Sequence, residues 1–277
     1  VAPPGLTPTG HRDVLRQCRI IKALGPTPVP VPEVLREDPG NPPEVPPLFV
    51  MSRLAGTSLE PLFDLEGGTE PKLLVANRFR DAAATMARLH RIQPADIGLT
   101  GEPVITPDAE VDRWSRSLET VDPPLAPGWQ EVGAALRDSS PAPLRPALVH
   151  GDFRLGNLLA AGDKITGVID WEIWSVGDPR IDAGWFLINS DPQTYRRATS
   201  YRGAAPPVDE LASLYQAEVG FPVSDLGWFQ ALACFKSVAT WSLIVKHNRR
   251  RSGPDPALEA MSDVVPHLLT RARRLLG

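Results

Sequence analysis

The sequence predicts an α+β protein of two lobes, a small strand-bearing one followed by a larger and mainly helical one. Three observations carry that expectation. The chain has 277 residues, more than one average domain and fewer than two full ones. Its 42% hydrophobic and 22% charged residues are the shares of a globular core, not of a disordered, collagen-like or coiled-coil chain. The hydrophobic period also changes along the chain, from helix to strands, to a long helix, to a strand-loop-hairpin block, and then to helices.

From His11 to Leu24 the apolar residues Val14, Leu15, Cys18, Ile21 and Leu24 recur at helical spacing, and Gly25-Pro26 stops the run. Val29-Pro-Val-Pro-Glu-Val-Leu35 reads as an edge strand, since its prolines have no N–H to give a ladder. Leu48–Leu54 reads as the next strand, followed by Gly56. A longer helix is predicted from Pro71 to Arg91, with Phe79, Ala83, Met86, Ala87 and His90 along one stripe. The 31 prolines cluster at 26–47, 103–107, 123–127 and 141–146, which read as connections. Ala147-Leu-Val149 is a short strand, and Asn157–Ala160 and Ile165–Trp171 form a hairpin around Ala161-Gly-Asp163. Helices are then predicted near 182–190, 209–219, 225–247 and 256–275. The 225–247 run is apolar enough to resemble a membrane span, but Asp225, Lys236 and Lys246 interrupt it, so it is read as a core helix with no membrane partner. The expected division is residues 1–55 as a partial N-lobe and hinge and 56–277 as a C-lobe, with a cleft where the 49–56 strand leaves the first lobe.

The formal net charge of −4 gives no bulk attraction for phosphate backbones, so a nucleic-acid partner is not expected. Two cysteines, Cys18 and Cys234, cannot build a disulfide framework or a four-ligand zinc site, which suits a reducing, cytoplasmic location. The chain opens without an initiator Met or a signal-like segment and is expected to begin partway into a longer protein. Oligomeric state is left open by the sequence. Gly5-Leu-Thr-Pro-Thr-Gly10-His11-Arg12 has Walker A glycine spacing, yet His and Arg stand where the phosphate-binding Lys and the Mg²⁺-holding hydroxyl belong. No nucleophile elbow, H-E-x-x-H pair or dinucleotide fingerprint is present.

His150-Gly-Asp152-Phe-Arg-Leu-Gly-Asn157 places a carboxylate and a carboxamide five residues apart across one loop, with strands on either side. Asp170 follows at the end of the hairpin, which is able to return it beside that pair. Phosphoryl transfer needs such a set: a carboxylate that takes the attacking hydroxyl's proton, and hard oxygen ligands that hold Mg²⁺ against the nucleotide phosphates. An isolated Asp-x-x-x-x-Asn loop is usually a surface turn. The distinguishing feature is its combination with Asp170-Trp171-Glu172, Gly177-Asp178-Pro179 and Asp182 at successive distances.

On these residues the sequence resembles the aminoglycoside phosphotransferase and choline kinase-like family, relatives of the protein kinases, and most nearly the branch found beside acyl-CoA dehydrogenases. The resemblance is strongest over 147–185 and extends more weakly to Phe49–Gly56 and Met86–His90. It implies a protein-kinase-like fold with a truncated β-rich N-lobe, and an ATP- (or GTP-) and Mg²⁺-dependent transfer to the hydroxyl of a small molecule. Asp152 would then be the catalytic base, and Asn157 and Asp170 the Mg²⁺ ligands. Ser52, Arg53 and Leu54 would be the hinge whose backbone meets adenine, and His150, Asp178 and Asp182 would support the loop. Trp171 and Trp185 are read as packing residues, His90 as a satisfied core histidine, and Arg249-Arg-Arg251 as a solvated helix end.

Two features depart from the family pattern. No glycine-containing hairpin or strand cation precedes the first helix, and Gln17 stands where that helix should carry a Glu; Lys22 is poorly placed to substitute. A catalytically impaired pseudokinase that binds a nucleotide or a partner is therefore the alternative reading. The acceptor is expected to meet 191–201 and the 209–247 helices. Asp191, Asp209 and Glu210 would attract a cationic aminoglycoside or simply begin helices, so antibiotic, hydroxyacyl thioester and metabolite alcohol all stay open.

Overall fold

The computed structural model describes residues 10–63, 68–197 and 199–277. Helix α1 (Val14–Leu24) starts where Asp13 accepts the backbone N–H groups of Leu15 and Arg16, and its buried Cys18, Ile20, Ile21 and Leu24 form one face. Strands β1 (Val34–Asp38) and β2 (Leu48–Met51) pair antiparallel with a bulge between Val34 and Arg36. Helix α2 (Lys72–Arg91) follows, then the short β3 (Val104–Ile105) and helices α3 (Pro107–Glu119) and α4 (Trp129–Asp138). Next come β4 (Ala147–Val149), the antiparallel hairpin of β5 (Leu158–Ala161) and β6 (Lys164–Val168), and β7 (Ser175–Gly177). β7 lies between β3 and β4, parallel to the first and antiparallel to the second. The chain ends in α5 (Arg180–Ser190), α6 (Val208–Val219), α7 (Leu226–Asn248), the single turn α8 (Pro256–Glu259) and α9 (Val265–Leu276).

Two apolar clusters hold these elements. One joins Ile20 and Leu24 of α1 to Phe79 and Met86 of α2, Val168 of the hairpin and Tyr215 of α6. The other surrounds α7, joining Phe235 and Val238 to Val111 of α3, Val132 of α4 and Leu268 of α9. Helix α5 is the wall between them: all eleven of its residues are buried, Phe186 in the first cluster and Ile188 in the second. An apolar helix without a wet face belongs in such a place. Gly184 allows α5 and α7 to meet, since a Cβ there would lie 2.3 Å from the Phe229 carbonyl oxygen.

The helix α7 is, among the described residues, the one segment long and apolar enough to cross a membrane, and 72% of its most apolar window is buried inside the protein. Some elements differ from the sequence expectations. Residues 29–33 are not strand; Pro30 instead gives its carbonyl to the Val168 N–H at 2.8 Å, the one backbone role a proline retains. The strand begins only at Val34. Helices α3 and α4 lie between the proline clusters read as connections, in a segment expected to mix irregular and helical structure, and Pro107 joins α3 itself, in its first turn behind the Thr106 cap, where no N–H is needed. The expected 256–275 helix is broken into α8, a 3₁₀ turn and α9, with Pro266 in the first turn of α9. Residues 5–9 of the glycine-spaced stretch lie outside the described residues.

Candidate active site

The site is built on the turn between β4 and β5. Gly151 has φ +86°, and a Cβ there would lie 2.7 Å from the Ile173 carbonyl oxygen, so the turn needs glycine on two counts. Below it Asp182, fully buried at the start of α5, accepts the backbone N–H groups of His150 at 2.6 Å and Gly151 at 2.8 Å. His90 Nε2 meets the same carboxylate at 3.3 Å, and its Nδ1 meets the Tyr215 hydroxyl at 2.8 Å. The buried His150 ring joins the two halves of the site: Nε2 donates to the Ile169 carbonyl at 2.8 Å, and Nδ1 accepts the Asp152 N–H at 3.2 Å. Asp178 acts one step further back, accepting the Leu144 N–H at 2.9 Å and Arg180 Nη2 at 2.8 Å.

Asp152 is thereby turned into a cleft with its carboxylate tied on several sides. Asn157 Nδ2 donates to Oδ2 at 2.7 Å and to the Asp152 carbonyl at 3.0 Å. Trp185 Nε1 donates to Oδ1 at 2.7 Å, and Arg154 Nε reaches both oxygens at 3.2 Å. Trp185 is thus more than the packing residue expected from sequence: its indole body is buried and its N–H is spent on the central carboxylate. Arg154 also pairs with Glu60, whose carboxyl burial pushes up against the opposing pull of the guanidinium. The signal for Arg154 lay in its place inside the loop motif. None existed for Glu60, which arrives from 94 residues away.

The hairpin delivers Asp170. The Ile169 N–H donates to the Asn157 carbonyl at 3.0 Å, so the residue after Ile169 emerges beside Asn157. Asp170 is exposed, has φ +67°, and makes no capping bond to the 3₁₀ turn that follows it. A non-glycine residue held in the left-handed region with its carboxylate unspent on local structure is an outlier of the kind found at functional sites. Asn157 commits its amide nitrogen to Asp152, which leaves Oδ1 outside that pair. The side-chain oxygens of Asn157 and Asp170 are hard donors, and two protein ligands suit Mg²⁺, which keeps several waters. The donor set therefore fits that ion. Among the described residues no group of three or more His, Cys, Asp and Glu side chains is placed to hold a metal by itself.

Ser52 bonds back to β1 on both sides, its N–H to the Glu33 carbonyl at 2.8 Å and its Oγ to the Glu33 N–H at 2.9 Å. Leu54 packs on the hairpin, its Cδ1 2.5 Å from where a Gly167 Cβ would stand. Hinge and metal-ligand candidates thus share one hairpin. On α1, Lys22 pairs with Glu37 at 3.2 Å, and Arg16 donates to the Trp174 carbonyl at 2.8 Å beyond Asp170. Gln17 lies half-buried on the same helix.

Two cavities open on Asp152, and Trp185 lines both. The larger, about 460 Å³, is walled by Phe63, Tyr195, Trp241, Ile244 and Leu258, with Arg197 at 5.4 Å over the Phe63 ring. The smaller, about 350 Å³, runs along Trp114, Lys236 and His247. The acidic residues considered as a lure for polycations face elsewhere. Asp191 accepts from Arg271 at 2.6 Å, Glu210 pairs with Arg80 at 2.7 Å, and neither they nor Asp209 line either cavity.

Residues 1–211 match the APH phosphotransferase enzyme family. The chain belongs to that family. It is 25% identical over 257 residues to the mouse (Mus musculus) acyl-CoA dehydrogenase family member 10, a match covering 88% of this chain and 24% of that protein. A probable acyl-CoA dehydrogenase of Arabidopsis thaliana is 30% identical over 206 residues, 66% of this chain and 23% of that protein. The chain thus spans about a quarter of the length of these relatives. Among solved structures, a putative aminoglycoside phosphotransferase from Ralstonia eutropha superposes with a TM-score of 0.77 at 20% identity, covering 94% of this chain and 82% of that one. A choline/ethanolamine kinase family protein from Mesorhizobium loti gives 0.63 at 15% identity, covering 95% and 83%. A thermostable aminoglycoside phosphotransferase mutant, in ternary complex with AMP-PNP and hygromycin B, gives 0.55 at 15% identity, covering 94% and 81%. The α+β fold of this chain, a small strand-rich N-region before a helical C-region, is the protein-kinase-like fold of those enzymes.

Proposed function

We propose that this phosphotransferase family member transfers the terminal phosphoryl group of ATP or GTP to the hydroxyl of a small molecule, with Asp152 as the base. The observation that carries the reading is the joint placement of Asp152, Asn157 and Asp170 by one turn and one hairpin, locked by the Ile169-to-Asn157 backbone bond. Asp152 accepts the hydroxyl proton as the oxygen attacks, while Asn157 and Trp185 hold its carboxylate toward the cleft. Asn157 and Asp170 hold Mg²⁺, which when bound neutralises charge on the nucleotide phosphates. Ser52, Arg53 and Leu54 seat the base, so residues 1–55 serve the nucleotide and 56–277 serve catalysis and acceptor. A cytoplasmic setting fits this use of ATP.

The aromatic and aliphatic walls beside Asp152 favour an acceptor that presents its hydroxyl from an apolar body over a polycationic aminoglycoside. Gln17, in the place of the acid expected on α1, favours a second reading, a pseudokinase that binds nucleotide without turnover. Asp152→Ala separates the two. Over a panel of hydroxyl acceptors the variant is expected to lose at least about a hundredfold in phosphotransfer with ATP affinity kept. Robust transfer that survives the substitution removes Asp152 from the role of base, and no transfer by either protein favours the pseudokinase.

A further inference from the structure

One buried cation stands behind the site and is used by none of the steps above. Lys236, in the middle of α7, is 7% exposed. Its Nζ donates to the Gly151 carbonyl and lies 3.8 Å from the centroid of the Trp185 ring, the residue whose N–H holds Asp152 Oδ1 at 2.7 Å. Burying an amine in an apolar helix is costly, and a Leu or Met would fill the same space without that cost. Two of its contacts, one to the turn before Asp152 and one to the ring that orients Asp152, converge on the same carboxylate.

We propose that Lys236 is a positioning residue of the phosphotransferase centre: it fixes the Gly151 carbonyl and the face of Trp185, and through them the orientation of Asp152. This rests on Asp152 being the base. The titratable and charged groups around Lys236 are Asp152 on the loop, Asp182 on α5, and Glu110 and Arg113 on α3, with Glu172 and His247 lining the smaller cavity beside it. Burial pushes the ammonium's pKa down, against the pull of Asp152, Glu110 and Asp182, and the geometry gives Nζ a carbonyl and a π face as its partners. One of the two routes to Asp152 runs through Trp185 and the other through the Gly151 carbonyl, so the effects of removing cation and ring should overlap in part.

The test uses the full chain and two readouts. The sequence has seven tryptophans, so Trp185→Phe identifies the Trp185 indole N–H by the resonance it deletes. Lys236→Met is expected to move that resonance toward the free-indole position and to speed its exchange with solvent about tenfold. The remaining indole signals report that the fold is kept, and Lys236→Arg should restore most of the wild-type position. In ATP turnover, with water or any accepted hydroxyl compound, Lys236→Met should lower kcat about 10- to 100-fold with KM for ATP within about twofold. The double variant should lose less than the product of the two single losses. An unmoved Trp185 indole in Lys236→Met, or losses that multiply in the double variant, would overturn the proposal. Should Lys236→Met not fold, an unaltered indole position in Lys236→Gln would do the same. Absence of turnover in every protein tells against the kinase reading, while the indole readout still decides the role of Lys236.

Discussion

Asp182 has no solvent contact and spends its carboxylate on the backbone of the loop that carries Asp152. Burial pushes its carboxyl up, but the bond to His90, the nearness of that ring and the His150 backbone N–H outweigh it and hold the group below its ordinary value of 3.8. A carboxyl lowered on folding contributes stability above its unfolded pKa, and that contribution fades as pH falls through the lower folded value. Asp182→Asn is therefore expected to cost about 2–3 kcal/mol near neutrality. Urea denaturation across a pH series should show the gap to wild type narrowing only below about pH 4; a gap that widens in acid would contradict the assignment. At this scale the motif residues were legible because loop and hairpin spacing is short-range. Trp185 was not, since an indole on an apolar helix has the same sequence signature whether its N–H faces a carboxylate or a core carbonyl.

The α5–α7 crossing brings the helix that carries Trp185 against the helix that carries Trp241 and Ile244, which line the cavity beside Asp152. Gly184 sits under the Phe229 backbone, whose carbonyl oxygen and carbon would lie 2.3 and 2.5 Å from an added Cβ. Neither atom is a flexible side-chain tip, so Gly184→Ala must separate the helices. A loss of about 2–3 kcal/mol is expected, seen as a lower urea midpoint with an unchanged m-value. An unchanged midpoint would show that the crossing has slack. The element pattern explains what reading the sequence captured and lost. Helix α2 stood out by length and period and α7 by length and apolarity, whereas β3 and β7 are two and three residues long and exist through pairing with each other and with β4. Helices α3 and α4 were obscured by prolines that mark their approaches and first turns rather than breaks.

At the scale of the whole molecule, the hinge, the hairpin and the loop are parts of one packed body. Leu54 rests on β6, and Thr57 and Ala160 exchange backbone bonds at 3.0 Å. Residues of α1 share an apolar cluster with α2 and the hairpin. The proposed nucleotide hinge at Ser52–Leu54 therefore rests on the same hairpin that presents Asp170. Two-lobe order was legible from the changing period. The larger cavity beside Asp152 was not, because Phe63, Trp185, Tyr195 and Trp241 come from distant stretches and only the fold gathers them. The central claim is that the loop and hairpin form a Mg²⁺–nucleotide site, and calorimetric titration with ATP, with and without Mg²⁺, tests it without any acceptor. Micromolar binding strengthened at least about tenfold by Mg²⁺, a gain that Asp170→Asn removes, is the predicted result. Binding of equal strength with and without the ion, or no binding at all, would contradict it.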